Sequence, residues 1–247
     1  MFTLIQISDC HFSADPEALY RGENADRNLA RLQAGIEAMG PDGLVLTGDI
    51  SEDGSVESYE RVAAQVRDWA SLRAWLPGNH DNKEAMAAVF AEPDFLAGPV
   101  LDWDGWRLVL LDSAFGDRGD GTVDEARLQP LSAVREETCD RPALAFIHHQ
   151  PMPVNAPWID KYGMANSELF WERLSGTRVR AVGFGHVHQV FMGQRDGIVC
   201  LSAPSTVANS QAEKDVFTPD PTGPKARWYR LHDDGRWQTG LISAGMN

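Results

Sequence analysis

Six of the seven histidines sit in short clusters with Asp or Asn: Asp9-Cys10-His11, Gly78-Asn79-His80-Asp81, His148-His149 and Gly185-His186-Val187-His188, with Gly48-Asp49 as a further acidic point. Carboxylate, amide and imidazole donors in this mixture suit first-row divalent ions such as Mn, Fe, Zn or Co. Each cluster alone has an ordinary explanation. Asp-x-His arises by chance, Asn79 tolerates a turn with positive φ, and His148-His149 reads as one core residue beside one surface residue. Taken together they have one explanation, convergence on a shared site. On an extended segment, side chains two apart share a side, so Asp9 with His11, and His186 with His188, each present two donors to one place. Cys10 and Val187 then point away, and Cys10 reads as a small buried hydrophobe.

These clusters need elements to position them. "TLIQIS" (3–8), "GLVLTG" (43–48), "RAWLPG" (73–78), "WRLVLLDS" (106–113), "ALAFIHH" (143–149) and "RVRAVGFGH" (178–186) read as strands. Between the first two, residues 25–39 place Leu29, Leu32, Ile36 and Met39 at helical spacing, and residues 55–70 form a second helix opened by Ser55 as N-cap. Pro130 interrupts a third helical stretch over 124–135. From Val190 onward short strands and turns take over. Near-continuous apolar strands alternating with helices predict an α/β fold with buried sheets flanked by helices. The clusters lie just past strand ends, at the edge where open α/β sheets place ligands; only His232 stands apart.

The 247 residues suffice for one domain spanning 1–247, and a 43% hydrophobic, 23% charged composition is that of a globular protein. A net charge of −14, with no Lys/Arg cluster, disfavours nucleic acid and anionic membrane as partners. No apolar run is long enough for a membrane span, and the first residues enter a strand pattern without a signal-peptide architecture, so the expected location is cytoplasmic. Cys10, Cys139 and Cys200 are odd in number and widely spaced, which argues for reduced thiols. An anionic substrate would therefore need a local positive centre other than a basic patch.

The ordered series Asp-x-His, Gly-Asp, Gly-Asn-His-Asp, His and Gly-His-x-His over residues 9–188 resembles the calcineurin-like metallophosphoesterase superfamily. "LTGDISEDGSVESYERV", "WLPGNHD", "HHQPMPVNAPWID" and "PSTVANS" are similar to segments of its class III cyclic nucleotide phosphodiesterase branch. The resemblance implies a four-layer α/β-β-α sandwich of two mixed sheets. It implies one metal held by Asp9, His11 and His188, a second by Asn79, His148 and His186, and Asp49 bridging them. His80 matches the family's catalytic histidine, and Glu52 or Asp53 is the candidate to orient it. Two divalent ions, offset by two carboxylates and a bridging hydroxide, leave a charge of about +1, the missing attractive point for phosphate. In-line attack of that hydroxide on a small phosphodiester, most simply a 3′,5′-cyclic nucleotide such as cAMP or cGMP, is the implied reaction.

Glycerophosphodiesters are the alternative substrate class, and a non-catalytic scaffold of the same fold is a more distant alternative. The motifs "GDISEDGS" and "GNHDNKE" lack the arginines with which the superfamily's protein phosphatases grip a monoester dianion; Arg21 and Lys83 are the nearest basic side chains, and each also reads as a surface charge. The irregular stretch 150–171 is the expected specificity element, with Trp158 to stack on a base and Asn155 to hydrogen-bond it. The family often forms dimers or larger homo-oligomers, which makes 150–171 and the C-terminal strands candidate contact surfaces. "TGPKARWYR" departs from the Pro-Gly-aromatic-Arg run of the resembling branch.

Overall fold

Strands that are apolar at every position need cover on both faces, and their alternate residues serve two different cores. The computed structural model describes residues 1–244 apart from 92–94, 97 and 117. In chain order the first elements are β1 (Phe2–Ile7), a small hairpin of β2 (Leu19–Tyr20) and β3 (Glu23–Asn24), α1 (Ala25–Met39), β4 (Gly43–Thr47), α2 (Val56–Val66), β5 (Leu72–Leu76) and α3 (Lys83–Val89). There follow β6 (Val100–Trp103), β7 (Trp106–Leu111), α4 (Glu125–Leu128), a 3₁₀ turn (Gln129–Val134), β8 (Ala143–Ile147), α5 (Pro157–Asp160) and α6 (Ser167–Leu174). The chain closes with β9 (Val179–Phe184), β10 (Met192–Arg195), β11 (Ile198–Ser202), β12 (Lys225–Leu231) and β13 (Trp237–Ser243).

Two mixed sheets result, ordered β13-β12-β1-β4-β5 and β10-β11-β9-β8-β7-β6. In the first, β1, β4 and β5 are parallel while β12 and β13 are antiparallel; in the second, β7, β8, β9 and β11 are parallel with antiparallel edges. Leu4, Val45, Leu144 and Phe146 face a core between the sheets. Their neighbours Ile5, Leu44 and Leu46 face Leu29, Leu32, Val62 and Met86 of α1, α2 and α3. Ala145 and Ile147 of the other sheet face Leu128, Phe170 and Trp171. The layers are therefore helix, sheet, sheet, helix, as the resemblance implies.

Local sequence sets the helix limits. Asn24 caps α1 by accepting from Arg27 N at 3.0 Å, and Gly40 ends it at φ 56°. Ser55 caps α2 as expected, accepting from Ser58 N, but the helix stops at Val66, short of residue 70. Pro130 lacks an N–H, so the stretch expected as helix over 124–135 splits into α4 and the tighter 3₁₀ turn. Gln6 joins the sheets through the middle: its Nε2 donates to Thr47 Oγ1 at 3.0 Å and to Phe184 O at 3.3 Å, and its Oε1 accepts from Tyr229 Oη at 2.7 Å.

Candidate metal centre

The strands end before the polar clusters begin, and the backbone then leaves the extended region. Asp9 (φ 51°), His11 (φ 48°), Asp49 (φ 50°), His186 (φ 69°) and His188 (φ 48°) are all left-handed. Extended alternation is therefore not what positions Asp9 with His11 or His186 with His188. Asp9 and His11 share one donor set through left-handed backbone, a conformation unfavourable for most non-glycine residues and concentrated at functional sites, whereas His186 and His188 fall in different sets, His186 with His148 and His149 and His188 with Asp9 and His11. The strand partners hold them there: Asp9 N donates to Gly48 O and His11 N to Asp49 O, both at 3.0 Å, so the β1–β4 pairing continues past the sheet edge. Two glycines make the approach of β4 and β5 feasible. A Cβ on Gly48 would lie 2.5 Å from His148 Nδ1, and one on Gly78 would lie 2.1 Å from Asp49 Oδ1.

Five strand ends thus meet, from β1, β4 and β5 of one sheet and β8 and β9 of the other. His188 Nε2 lies 3.3 Å from Asp9 Oδ1 and 3.2 Å from His11 Nε2. Asp49 Oδ2 lies 3.3 Å from His148 Nε2 and 3.9 Å from His11 Nε2. Within each of the sets Asp9–His11–His188, Asp9–Asp49–His148, His11–Asp49–His80 and His148–His149–His186, donor atoms lie within 4.8 Å of one another. The rings are fixed from behind: His148 Nδ1 donates to Thr47 O at 2.8 Å, His188 Nδ1 to Ala208 O at 2.8 Å and His11 Nδ1 to Glu52 Oε2 at 2.7 Å. Such bonds select the tautomer whose Nε2 points inward as a lone-pair donor. The Asp9 carboxylate also accepts from His186 N at 3.0 Å.

Burial works to raise the Asp49 carboxyl, but His148, His11 and His80 outweigh it and hold it well below its ordinary value; Asp9 is lowered in the same way by His188 and His148. Burial lowers His148, yet Asp49 outweighs that and brings it up to about 9. Burial and His149 push His186 well below the usual range, and burial with His148 pushes His149 down to about 3. Asn79 Oδ1 and the Nε2 atoms of His148, His149 and His186 are buried with no hydrogen-bond partner. Buried polar atoms left unpaired are costly. Those on Asn79, His148 and His186, beside two ionised carboxylates, are a donor set that divalent cations satisfy, and His149, whose Nδ1 is paired with Ser113 Oγ, stands against it.

A family model for calcineurin-like phosphoesterases matches residues 2–190. The chain belongs to the calcineurin-like phosphoesterase family. It is 33% identical over 241 residues to the 3′,5′-cyclic adenosine monophosphate phosphodiesterase CpdA of Pseudomonas aeruginosa, covering 96% of this chain and 88% of that one. It is 31% identical to a 3′,5′-cyclic-nucleotide phosphodiesterase of Nostoc sp., covering 96% and 90% of the two chains. Among solved structures, a dimetal phosphatase from Danio rerio superposes with a TM-score of 0.71 over 99% of each chain at 16% identity, a likeness of fold.

Within this family fold, all eight residues singled out from sequence, Asp9, His11, Asp49, Asn79, His80, His148, His186 and His188, gather at the one edge. His80 is set apart by exposure: its side chain is 37% exposed, while those of His11 and His148 are fully buried. Glu52, not Asp53, touches it: Glu52 Oε2 lies 3.2 Å from His80 Nδ1. Asp53 instead accepts from Ala14 N and from the Ser55 hydroxyl. His232 also follows a strand, but β12 runs antiparallel to β1 and carries it to the opposite edge, where its carbonyl accepts from Trp106 Nε1. Cys10 is buried in the helix-side core, and burial keeps its thiol protonated, up to about 12.

The sequence reading of His148-His149 as one core and one surface residue fails, because both are buried. The surface reading of Lys83 fits better than a role in the cleft: it is paired with Asp112 at 2.6 Å. A cavity of about 420 Å³ opens over the cluster, lined by Arg21, Trp158, Lys161 and Phe217 among others. Of the two residues expected to contact a base, Trp158 lines this cavity, whereas Asn155 is exposed and outside the lining. Tyr20 and Phe217 also line it, and since neither stands in a motif, sequence alone does not single them out.

Proposed function

We propose that this protein hydrolyses a 3′,5′-cyclic nucleotide at a two-metal centre, with Asp9, His11 and His188 holding one divalent ion, Asn79, His148 and His186 the other, and Asp49 between them. The observation that carries the reading is the convergence of these donors from five strand ends, with Nε2 of His11, His148 and His188 set inward by bonds through Nδ1, and with Asn79 Oδ1 and Nε2 of His148 and His186 buried without a partner. Relatives of like length named as cyclic nucleotide phosphodiesterases support the substrate class. Ions bound there supply Lewis acidity to phosphoryl oxygens and bring the pKa of a shared water towards neutrality.

The protein's own groups supply the rest. His80 lines the cleft, and with its Nδ1 directed at Glu52, its Nε2 is left as the atom to meet the departing oxygen, to which it donates when the ring is the imidazolium. Its backbone N–H donates to Asp49 Oδ1 at 3.0 Å, which ties the acid to the carboxylate that would stand between the ions. Lys83 is withdrawn into its ion pair, leaving Arg21 and Lys161 as the cationic side chains among the described cleft residues. This modest countercharge favours a diester monoanion over a monoester dianion.

We read residues 1–247 as one functional unit, supported by the pairing of β12 with β1 and by Phe2, Tyr229 and Leu231 sharing the inter-sheet core. No described helix is long and apolar enough to cross a membrane. A cytoplasmic location and a homo-oligomer, dimer or larger, complete the proposal; Met192, 72% exposed on the edge strand β10, supports a contact there. The decisive experiment compares cAMP, cGMP, a glycerophosphodiester and a phosphomonoester with Mn²⁺ added and after EDTA treatment. Metal-dependent turnover with cyclic nucleotides preferred is expected. Preference for the monoester overturns the reading, and no metal-dependent turnover of any substrate favours the scaffold.

A further inference from the structure

Above the metal centre, groups from three separate segments stack outward in order. Tyr20 lies flat on His11, ring centroids 3.9 Å apart and planes 6° apart. The Arg21 guanidinium follows, 5.4 Å from the Tyr20 ring and 4.0 Å from the centroid of Phe217. Trp158 closes the wall, edge-on to Phe217 at 5.4 Å and 5.7 Å from the guanidinium carbon. All four residues line the cleft.

Packing alone does not account for two features of this wall. Arg21 makes no ion pair among the described residues, although the chain carries 36 acidic side chains against 22 basic ones. Its Nε donates to Tyr20 Oη at 3.2 Å, and its backbone is left-handed at φ 50°. The Trp158 indole Nε1–H is buried with no acceptor. A guanidinium laid on an aromatic face is a planar, weakly hydrated surface well suited to stacking. An unpaired buried donor is costly until a ligand offers an acceptor.

We infer that Arg21, Phe217 and Trp158 form the platform that takes the nucleobase, with Trp158 Nε1 donating to a ring nitrogen or carbonyl of the base. The inference rests on the cyclic-nucleotide reading of the site. Position separates it from the alternative that Arg21 grips the phosphate. The Tyr20 ring stands between Arg21 and His11, so the cation is one ring removed from the metal ligands, as the base of a nucleotide is one ribose removed from its phosphorus. A glycerol diester has no planar group with which to use such a wall. The platform is drawn from the β2–β3 hairpin, the loop before β12 and α5, so each of its members is free to differ without disturbing the strand ends.

Calorimetric titration of the Mn²⁺-loaded protein with adenosine, which lacks phosphate, and with inorganic phosphate, which lacks a base, tests the inference. Arg21→Ala and Phe217→Ala should weaken adenosine binding by about five- to hundredfold, the range of one lost stacking contact, while the phosphate titration holds. Trp158→Phe, which keeps the ring and removes the donor, should weaken adenosine less and serves as the conservative variant. Absence of adenosine binding by the wild type, adenosine affinity unmoved in both alanine variants, or phosphate weakened as strongly as adenosine each overturns the platform. Turnover of cAMP by the wild type is read separately: adenosine binding without it sinks the proposed function and leaves the platform standing.

Discussion

The metal centre and the cleft wall adjoin through the Tyr20–His11 stack, yet they are built by opposite means. In the centre, every donor follows a buried strand, and His11, His148 and His188 are each locked by a hydrogen bond through Nδ1. In the wall, Arg21, Trp158 and Phe217 come from a two-residue-strand hairpin, a one-turn helix and a loop, and they hold one another mainly by ring contacts. The contrast assigns rigidity to the chemistry and adaptability to recognition. Substitutions in the first region should abolish turnover, and those in the second should redistribute affinity among ligands.

The sharpest break is expected from Asp49→Asn. In the proposed centre this carboxylate would serve both ions, so kcat should fall by more than about 10⁴-fold, beyond the upper range for a single proton-transfer group, and metal analysis should find fewer than two ions per chain. His80→Ala should lower kcat by about 10²–10⁴-fold with metal content unchanged; a variant that also loses metal would make His80 a ligand. Glu52→Gln should cost about 10–100-fold, the usual effect of losing a group that orients a ligand. An equal loss in Asp53→Asn would contradict the assignment of Glu52, since Asp53 touches neither histidine. At the small end, Lys83→Ala breaks a partly exposed ion pair, worth about 0–1 kcal/mol, and should leave kcat/KM unmoved in the cyclic-nucleotide assay. A large drop there would place cationic substrate contacts outside the cleft described.

The ease of reading the two regions from sequence follows the same division. Apolar runs such as "ALAFI" announce buried strands, and a polar residue straight after each run marks a strand end; parallel order then brings those ends to one edge. His232 shows the limit, because only the antiparallel course of β12 reveals that its strand end lies elsewhere. The left-handed turns were hidden for another reason: nothing in the types Asp and His distinguishes an extended pair from a pair held left-handed by its strand neighbour. Burial of both His148 and His149 depends on β8 sitting in the interior of its sheet, which periodicity alone does not give. Phe217 joins Arg21 across nearly the whole length of the chain, through tertiary contact that no local spacing encodes.

The left-handed ligand positions carry a cost that the active protein must bear. Left-handed backbone suits glycine or asparagine, whereas a bulkier residue adopts it at a penalty of about 1–3 kcal/mol. The same chain with asparagine at His188, or glycine at Asp9, would shed part of that penalty, the second also a buried charge, and under the proposed function would trade turnover for a sturdier fold. Drift towards an inert, more thermostable relative is thus downhill in folding free energy, and under the proposed function retention of these side chains would have to be enforced by the reaction assigned to them.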